Sequence, residues 1–241
     1  MIFQLEICAF NIGSCITAQQ SGAHRIELCD NPSEGGTTPS YGLIQSVIER
    51  LHIDIYPIVR PRGGDFFYND DEYSVMKKDI QLCKDLGCNG VVIGMLNIDG
   101  SVDKRRVAAL VELAYPMGVT FHRAFDRAVN TFQALEDIID IGCERILTSG
   151  QRPTVMEGIQ LIKEVVEHAD ERIIIMPGSG LRSNNIQELA LQTGAVEFHT
   201  TAKKIIKSEM KFINEDMKET LEQVVCDGEE VRKIMNSLVD L

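Results

Sequence analysis

Short runs of apolar and β-branched residues recur along the chain, separated by longer segments of helical period. Residues 5–8, 25–29, 55–60, 90–95, 119–122, 145–149, 173–177 and 196–200 each have the length and composition of a buried strand. Between them, segment 73–86 sets Val75, Met76, Ile80, Leu82 and Leu86 at helical spacing, and segment 153–169 does the same with Met156, Ile159, Ile162 and Val166. Strand and helix alternate eight times. That alternation requires a parallel sheet with helical crossovers, and in 241 residues it predicts a closed (β/α)8 TIM barrel, with an open doubly wound sheet as the competing topology. The expected organisation is one α/β domain over 1–241, with 203–227 as a variable segment between the last strand and a C-terminal helix.

A weak repeat supports the barrel. Ser21-Gly22-Ala23, Leu86-Gly87-Cys88, Ile141-Gly142-Cys143 and Thr193-Gly194-Ala195 each precede an even-numbered strand. The glycine suits a left-handed helix end and the small residue after it suits a tight entry into the strand, so Cys88 and Cys143 read as packing residues. Within the strands, period-two alternation sets Glu6 with Cys8, Glu27 with Cys29, Thr120 with His122 and Glu197 with His199 on one face. Ile7, Leu28, Phe121 and Phe198 fall on the other face, which must meet the helices. The polar face then points into the barrel, and its last residue on each strand lies near the C-terminal mouth, where barrel active sites are built.

Composition narrows the partners. The net charge of -12, from 36 acidic and 24 basic residues, and the absence of a Lys/Arg run exclude a nucleic-acid footprint. No basic, apolar leader opens the sequence and no apolar run reaches the ~18 residues of a spanning helix, so no membrane partner is expected and the expected location is cytoplasmic. Seven cysteines is an odd number, which in a reducing compartment points to free thiols or metal ligands rather than a disulfide framework.

The run Gly118-Val-Thr-Phe-His-Arg-Ala-Phe-Asp126 ends a strand in groups that a core strand does not need. His122 is the candidate acid or base, with Asp126 to orient Arg123 or a ligand. Glu27, Arg60 and His199 join it as candidate catalytic residues, and Arg60 is expected to pair with a glutamate. After the seventh strand, Gly178, Ser179 and Gly180 precede a helix and form a candidate anion cradle that Thr200 and His199 would complete. Cys8 and Cys29 end neighbouring strands on the inward face, where two thiolates could hold one soft ion, Cu(I) or zinc.

Ile26-Glu-Leu-Cys29, Ser33-Glu-Gly-Gly-Thr-Thr-Pro-Ser40, Arg60-Pro-Arg-Gly-Gly-Asp-Phe66, Val119-Thr-Phe-His-Arg-Ala-Phe-Asp126, Arg145-Ile-Leu-Thr-Ser-Gly150, Met176-Pro-Gly-Ser-Gly180 and Glu197-Phe-His199 together resemble the copper homeostasis protein CutC family. The resemblance covers essentially the whole chain. It implies a cytosolic, single-domain TIM barrel that self-associates and handles copper, with Cu(I) bound at Cys8 and Cys29. Thr201 stands where relatives usually have Ser, which preserves the hydroxyl. Two readings follow: a copper homeostasis protein with Cu(I) at the barrel mouth, or an enzyme acting on a small anionic or phosphorylated substrate with His122 as acid or base.

Overall fold

The computed structural model describes residues 3–239 and 241; residues 1, 2 and 240 of the expected 1–241 domain lie outside the described residues. All eight expected runs form strands: β1 (Gln4–Ala9), β2 (Arg25–Leu28), β3 (Asp54–Pro57), β4 (Gly90–Ile93), β5 (Gly118–Phe121), β6 (Arg145–Thr148), β7 (Ile174–Pro177) and β8 (Glu197–Thr200). They alternate with α1 (Ile12–Gln20), α2 (Tyr41–Ile48), α3 (Asp70–Leu86), α4 (Lys104–Ala114), α5 (Thr131–Ile141), α6 (Ile159–Ala169) and α7 (Ile186–Thr193), and α8 (Gly228–Val239) ends the chain. Two parallel four-stranded arcs, β3-β2-β1-β8 and β4-β5-β6-β7, meet at bridges from Ile58 to Val92 and from Gly178 to His199. The sheet therefore closes into a TIM barrel, and the open doubly wound alternative is excluded.

The two strand faces separate as their alternation requires. Leu5, Ile7, Ile26, Leu28, Phe121, Ile146 and Phe198 are fully buried in one core with helix residues such as Ala18, Ile44, Val47, Met76 and Ile80. The repeat glycines Gly22, Gly87, Gly142 and Gly194 all have positive φ, between 72° and 98°, as a left-handed helix exit requires. Helix α3 begins three residues earlier than its apolar stripe, because Asn69 and Glu72 close a reciprocal capping box. Helix α6 begins six residues later than expected, at Ile159. The loop before it folds back on the end of β6, where Gly158 packs against Gly150 with no room for a Cβ on either.

The segment 203–227, expected to be variable, carries a strand at each end. β9 (Lys203–Ile206) and β10 (Gln223–Cys226) form an antiparallel ribbon. It is fastened to the barrel through Asn11 Nδ2 donating to Val224 O (3.2 Å) and Cys226 N donating to Ser14 Oγ (3.0 Å). Residues 207–222 between the two strands hold no helix or strand and expose Met210, Phe212, Ile213 and Met217.

Below the mouth the barrel is filled by ions rather than aliphatic side chains. Arg25 donates to Glu6 and, at 2.6 Å, to Glu197, while Arg145 Nε donates to Glu197 at 3.0 Å and Nη1 to Glu144. Both guanidinium groups stand 5.3 Å from the Tyr56 ring centroid, and Tyr56 Oη donates to Glu144 at 2.6 Å. Buried charges of this kind are tolerable only when each keeps its partners, and here each arginine keeps two acids and an aromatic face. The layer forms a charged floor under the mouth.

Candidate functional site

Above that floor a cavity of 380 Å³ opens at the C-terminal ends of the strands, walled by Cys8, Glu27, Arg60, His122, Arg123 and His199 among others. This volume lies within the ~300–1,000 Å³ range of small-molecule sites.

Cys8 pairs in register with Glu27 across β1 and β2, which puts Cys29 one inward step above Glu27. The Cys8 and Cys29 sulfurs lie 3.6 Å apart, and with a Glu27 oxygen they form a buried trio whose ligand atoms all fall within 4.8 Å of one another. The loop after β2 closes over them: at Gly36, where φ is +96°, a Cβ would come within 3.1 Å of Cys29 Sγ. The hydrogen bond from Cys29 pulls the Cys8 thiol down to about 6 against the effect of burial, and His199 helps. Burial, with the Cys8 thiolate beside it, pushes Cys29 well up, and the same two causes push Glu27 well above the usual carboxylate range. One thiolate and one thiol thus share the site.

His199 stands between the floor and the thiols. Its Nδ1 lies 2.7 Å from Glu6 Oε1, and its Nε2 lies 3.7 Å from Glu27 Oε2. Burial opposes its protonation, but hydrogen bonds to Cys8 and Glu6 and the charges of Glu27 and Glu6 hold it well above the ordinary histidine value. Glu6 responds in kind: burial raises it, yet Arg25 and His199 bring it down to about 2.

His122, buried in the same wall, is shifted in the opposite direction from His199. Ala124 N donates to its Nδ1 at 3.1 Å, and burial followed by the nearby Arg60 charge lowers the ring to about 3. The ring is therefore neutral near pH 7 and carries its proton on Nε2, which has no partner among the described residues. It is fixed by Phe66, 4.8 Å away between centroids, and by Gly94, where a Cβ would come within 2.5 Å of the imidazole. At neutral pH the residue expected as an acid or base is a hydrogen-bond donor.

Arg60 does not pair with a glutamate, contrary to the sequence expectation. Its Nη1 donates to the carbonyls of Glu34 (2.7 Å) and Gly36 (2.8 Å) and its Nη2 to that of Gly64 (2.9 Å), and the group lies over Phe66. The reason is depth. Glu6 and Glu197 sit one layer lower, where Arg25 and Arg145 take them, whereas Arg60 emerges among loop carbonyls. Its Nε has no partner among the described residues.

Asp126 is fully engaged. It accepts from Thr148 Oγ1 (2.5 Å), Arg123 Nε (2.8 Å), Ser149 N and Oγ (both 3.0 Å) and Gln151 N (3.1 Å), so it ties the loop after β5 to the end of β6 and orients Arg123. Of the expected anion cradle, three donors serve the fold instead: Gly178 N donates to Thr148 O (2.9 Å), Ser179 Oγ to Pro153 O (2.7 Å) and Thr200 Oγ1 to Leu181 O (2.8 Å). The amides of Ser179 and Gly180 donate to no group among the described residues, and both residues hold positive φ, +93° and +75°. Gly178 is needed for space, since a Cβ there would meet Leu147 at 2.6 Å and the His199 ring at 2.9 Å. Arg182 and Lys203 also line the cavity, unforeseen from the sequence because Arg182 lies in the loop after β7 and Lys203 opens the β9–β10 ribbon, outside the eight expected strands.

The geometry has close relatives. A family model described as the CutC family matches residues 3–204. CutC family proteins of Parabacteroides distasonis and Chromobacterium violaceum are 51% identical over 214 residues (88% of each chain) and 50% identical over 208 residues (86% of this chain, 84% of the relative), respectively. The crystal structure of CutC from Streptococcus agalactiae superposes with a TM-score of 0.80 at 34% identity, covering 83% of this chain and 99% of that one. Phosphoribosylanthranilate isomerase of Thermotoga maritima, at TM-score 0.63 and 12% identity over the whole of both chains, shares the barrel fold alone. With the match running across all eight barrel strands, this chain belongs to the CutC family.

Proposed function

We propose that the protein binds Cu(I) through Cys8 and Cys29 at the barrel mouth and serves copper homeostasis in the cytoplasm. The observation that carries this reading is the approach of two buried sulfurs to 3.6 Å, and the hydrogen bond between them lowers the Cys8 thiol from its ordinary value. Thiolates select soft ions, and two suffice for Cu(I), whereas a structural zinc site takes four ligands. The nearest imidazole, His199, is held protonated against Glu6 and offers no lone pair for a third strong donor. Its positive charge would offset the single negative charge left by two thiolates on one Cu(I). A cytoplasmic setting suits the reading because it keeps both thiols reduced. The copper homeostasis name of the S. agalactiae relative agrees with it.

The direct test is anaerobic titration with Cu(I) in competition with a chromogenic chelator. One ion per chain is expected, with binding lost in the Cys8→Ser, Cys29→Ser double variant; unchanged affinity in that variant would overturn the copper site. The same reading includes self-association of a single 1–241 domain, supported by the apolar residues that the 207–222 segment exposes. Light scattering on the purified protein tests it, and a monomer at all concentrations would refute it.

A further inference from the structure

We propose that the mouth of the barrel is also a binding site for a small phosphate monoester, with the phosphate on the loop after β7 and the organic part against His122. This is independent of the copper reading: of the cavity wall, Cys8, Glu27 and His199 belong to the thiol site, and the groups argued below are others.

Charge is the first ground. In a chain of net charge -12, the cavity is lined by Arg60, Arg123, Arg182 and Lys203 against Glu27 as the one acid among the described residues. Arg60 is 5% exposed and its partners among the described residues are backbone carbonyls rather than carboxylates. Its carbonyl partners satisfy donors but leave its positive charge uncompensated, which favours an anion in the cavity. The cluster therefore selects negative ligands in a molecule that otherwise repels them.

Unpartnered donors are the second ground. Arg60 Nε and His122 Nε2 belong to residues at least nine-tenths buried, both line the cavity, and neither atom has a hydrogen-bond partner among the described residues. The adjacent amides of Ser179 and Gly180 are also unspent, and both residues line the cavity. Thr201 brings a hydroxyl to the same wall.

The arrangement favours phosphate over carboxylate. A carboxylate is best held by a free guanidinium fork, but the fork of Arg60 is turned to three carbonyls, and Nε and Nη2 of Arg123 are taken by Asp126 and Ser149. What remains is a pair of amides in a wall that Arg182 and Lys203 also line, which suits a group with three acceptor oxygens and close to two negative charges. His122, at the far side, is a neutral donor for a hydroxyl or carbonyl of the esterified part.

Inorganic phosphate and a panel of short esters, including glycerol 3-phosphate and ribose 5-phosphate, test the site by calorimetry and thermal melting at constant ionic strength. Phosphate at ten times its Kd should raise Tm by about 3–6 °C, with chloride and acetate inert. At least one ester should bind about tenfold or more tightly than phosphate itself, corresponding to ~1.4 kcal/mol. Arg182→Ala with Lys203→Ala should weaken phosphate and ester alike, whereas His122→Phe should remove only the gain of the ester. The Cys8→Ser, Cys29→Ser variant should keep ester binding within about twofold even as it loses Cu(I), which separates failure of this site from failure of the copper site. Absence of phosphate protection, equal binding of acetate, no ester better than phosphate, or unaltered binding in the Arg182 and Lys203 variant would each overturn the proposal.

Discussion

The Tyr56 ring occupies the volume that a side chain at Gly90 would need: a Cβ built on Gly90 overlaps Cε1 of the ring. Gly118, its register partner on β5, is bare for the same reason, since a Cβ there overlaps Tyr56 Oη and Glu144. Two glycines at the feet of adjacent strands thus make the pit in which Tyr56 stands between Arg25 and Arg145.

Because Tyr56 is held by a guanidinium on each side and by Glu144 at its hydroxyl, it has nowhere to yield. Gly90→Ala should destabilise the protein by about 1–3 kcal/mol through overpacking. The chain has no tryptophan, so circular dichroism in urea is the suitable readout. A midpoint equal to that of the wild type would show that the ring can move aside.

Glu197 accepts from both Arg25 and Arg145 inside the floor. Glu197→Gln removes the charge that two buried cations share, at an expected cost of about 3–5 kcal/mol. Asp140→Asn, which breaks an exposed contact with Lys104, should change stability by less than about 1 kcal/mol. Equal effects from the two substitutions in denaturant titrations would contradict a load concentrated in the floor.

Asp126→Asn should loosen the end of β6, because an amide cannot accept from all five donor groups that surround the carboxylate. We expect a stability loss of about 1–3 kcal/mol, as buried donors are left unpaired, together with faster amide exchange at Ser149 and Gln151. Unchanged exchange at those two amides would show that Asp126 does not secure the loop.

The barrel was legible because strand alternation and helical period are local signals, and the inward face was legible because one phase repeats through Glu6, Cys8, Glu27, Cys29, Thr120, His122, Glu197 and His199. The same phase contains Arg25, two positions before Glu27, and Arg145, two before Leu147. Both stand at strand entrances, where a charge also fits an exposed end, so the floor they build was not evident. Arg60 was placed at the right height and given the wrong partner, since depth within a staggered barrel depends on shear that no single strand records. The donors of Gly178, Ser179 and Thr200 were assigned to an anion, but loop hydrogen bonds that consume three of them depend on Thr148, Pro153 and Leu181, each far in the sequence from the donor it meets. The ribbon of β9 and β10 escaped notice because 16 residues separate its strands (207–222) and neither Lys203-Lys-Ile-Ile206 nor Gln223-Val-Val-Cys226 alternates apolar with polar positions.

His122 gives the protein a pH dependence of defined sign. Its folded value of about 3 lies below the ordinary 6.5 because the ring is buried beside Arg60. Between those two values the unfolded chain binds a proton that the folded chain refuses, so stability falls as pH falls from about 6.5 toward 3. Glu6 acts in a lower window: its folded value of about 2 against 4.5 gives a contribution present above 4.5 and lost as pH drops toward 2. Cys8, Glu27 and His199 titrate as well, but they do so equally in a variant that leaves them in place. The informative quantity is therefore the difference between wild type and His122→Gln, which keeps an amide donor near the position of Nε2. Between pH 7.5 and 4.5 the wild type should lose about 2–3 kcal/mol more than the variant. Urea midpoints at steps across that range check it: converging curves fit a neutral, buried His122, and parallel curves would mean that the ring takes up its proton in the folded protein.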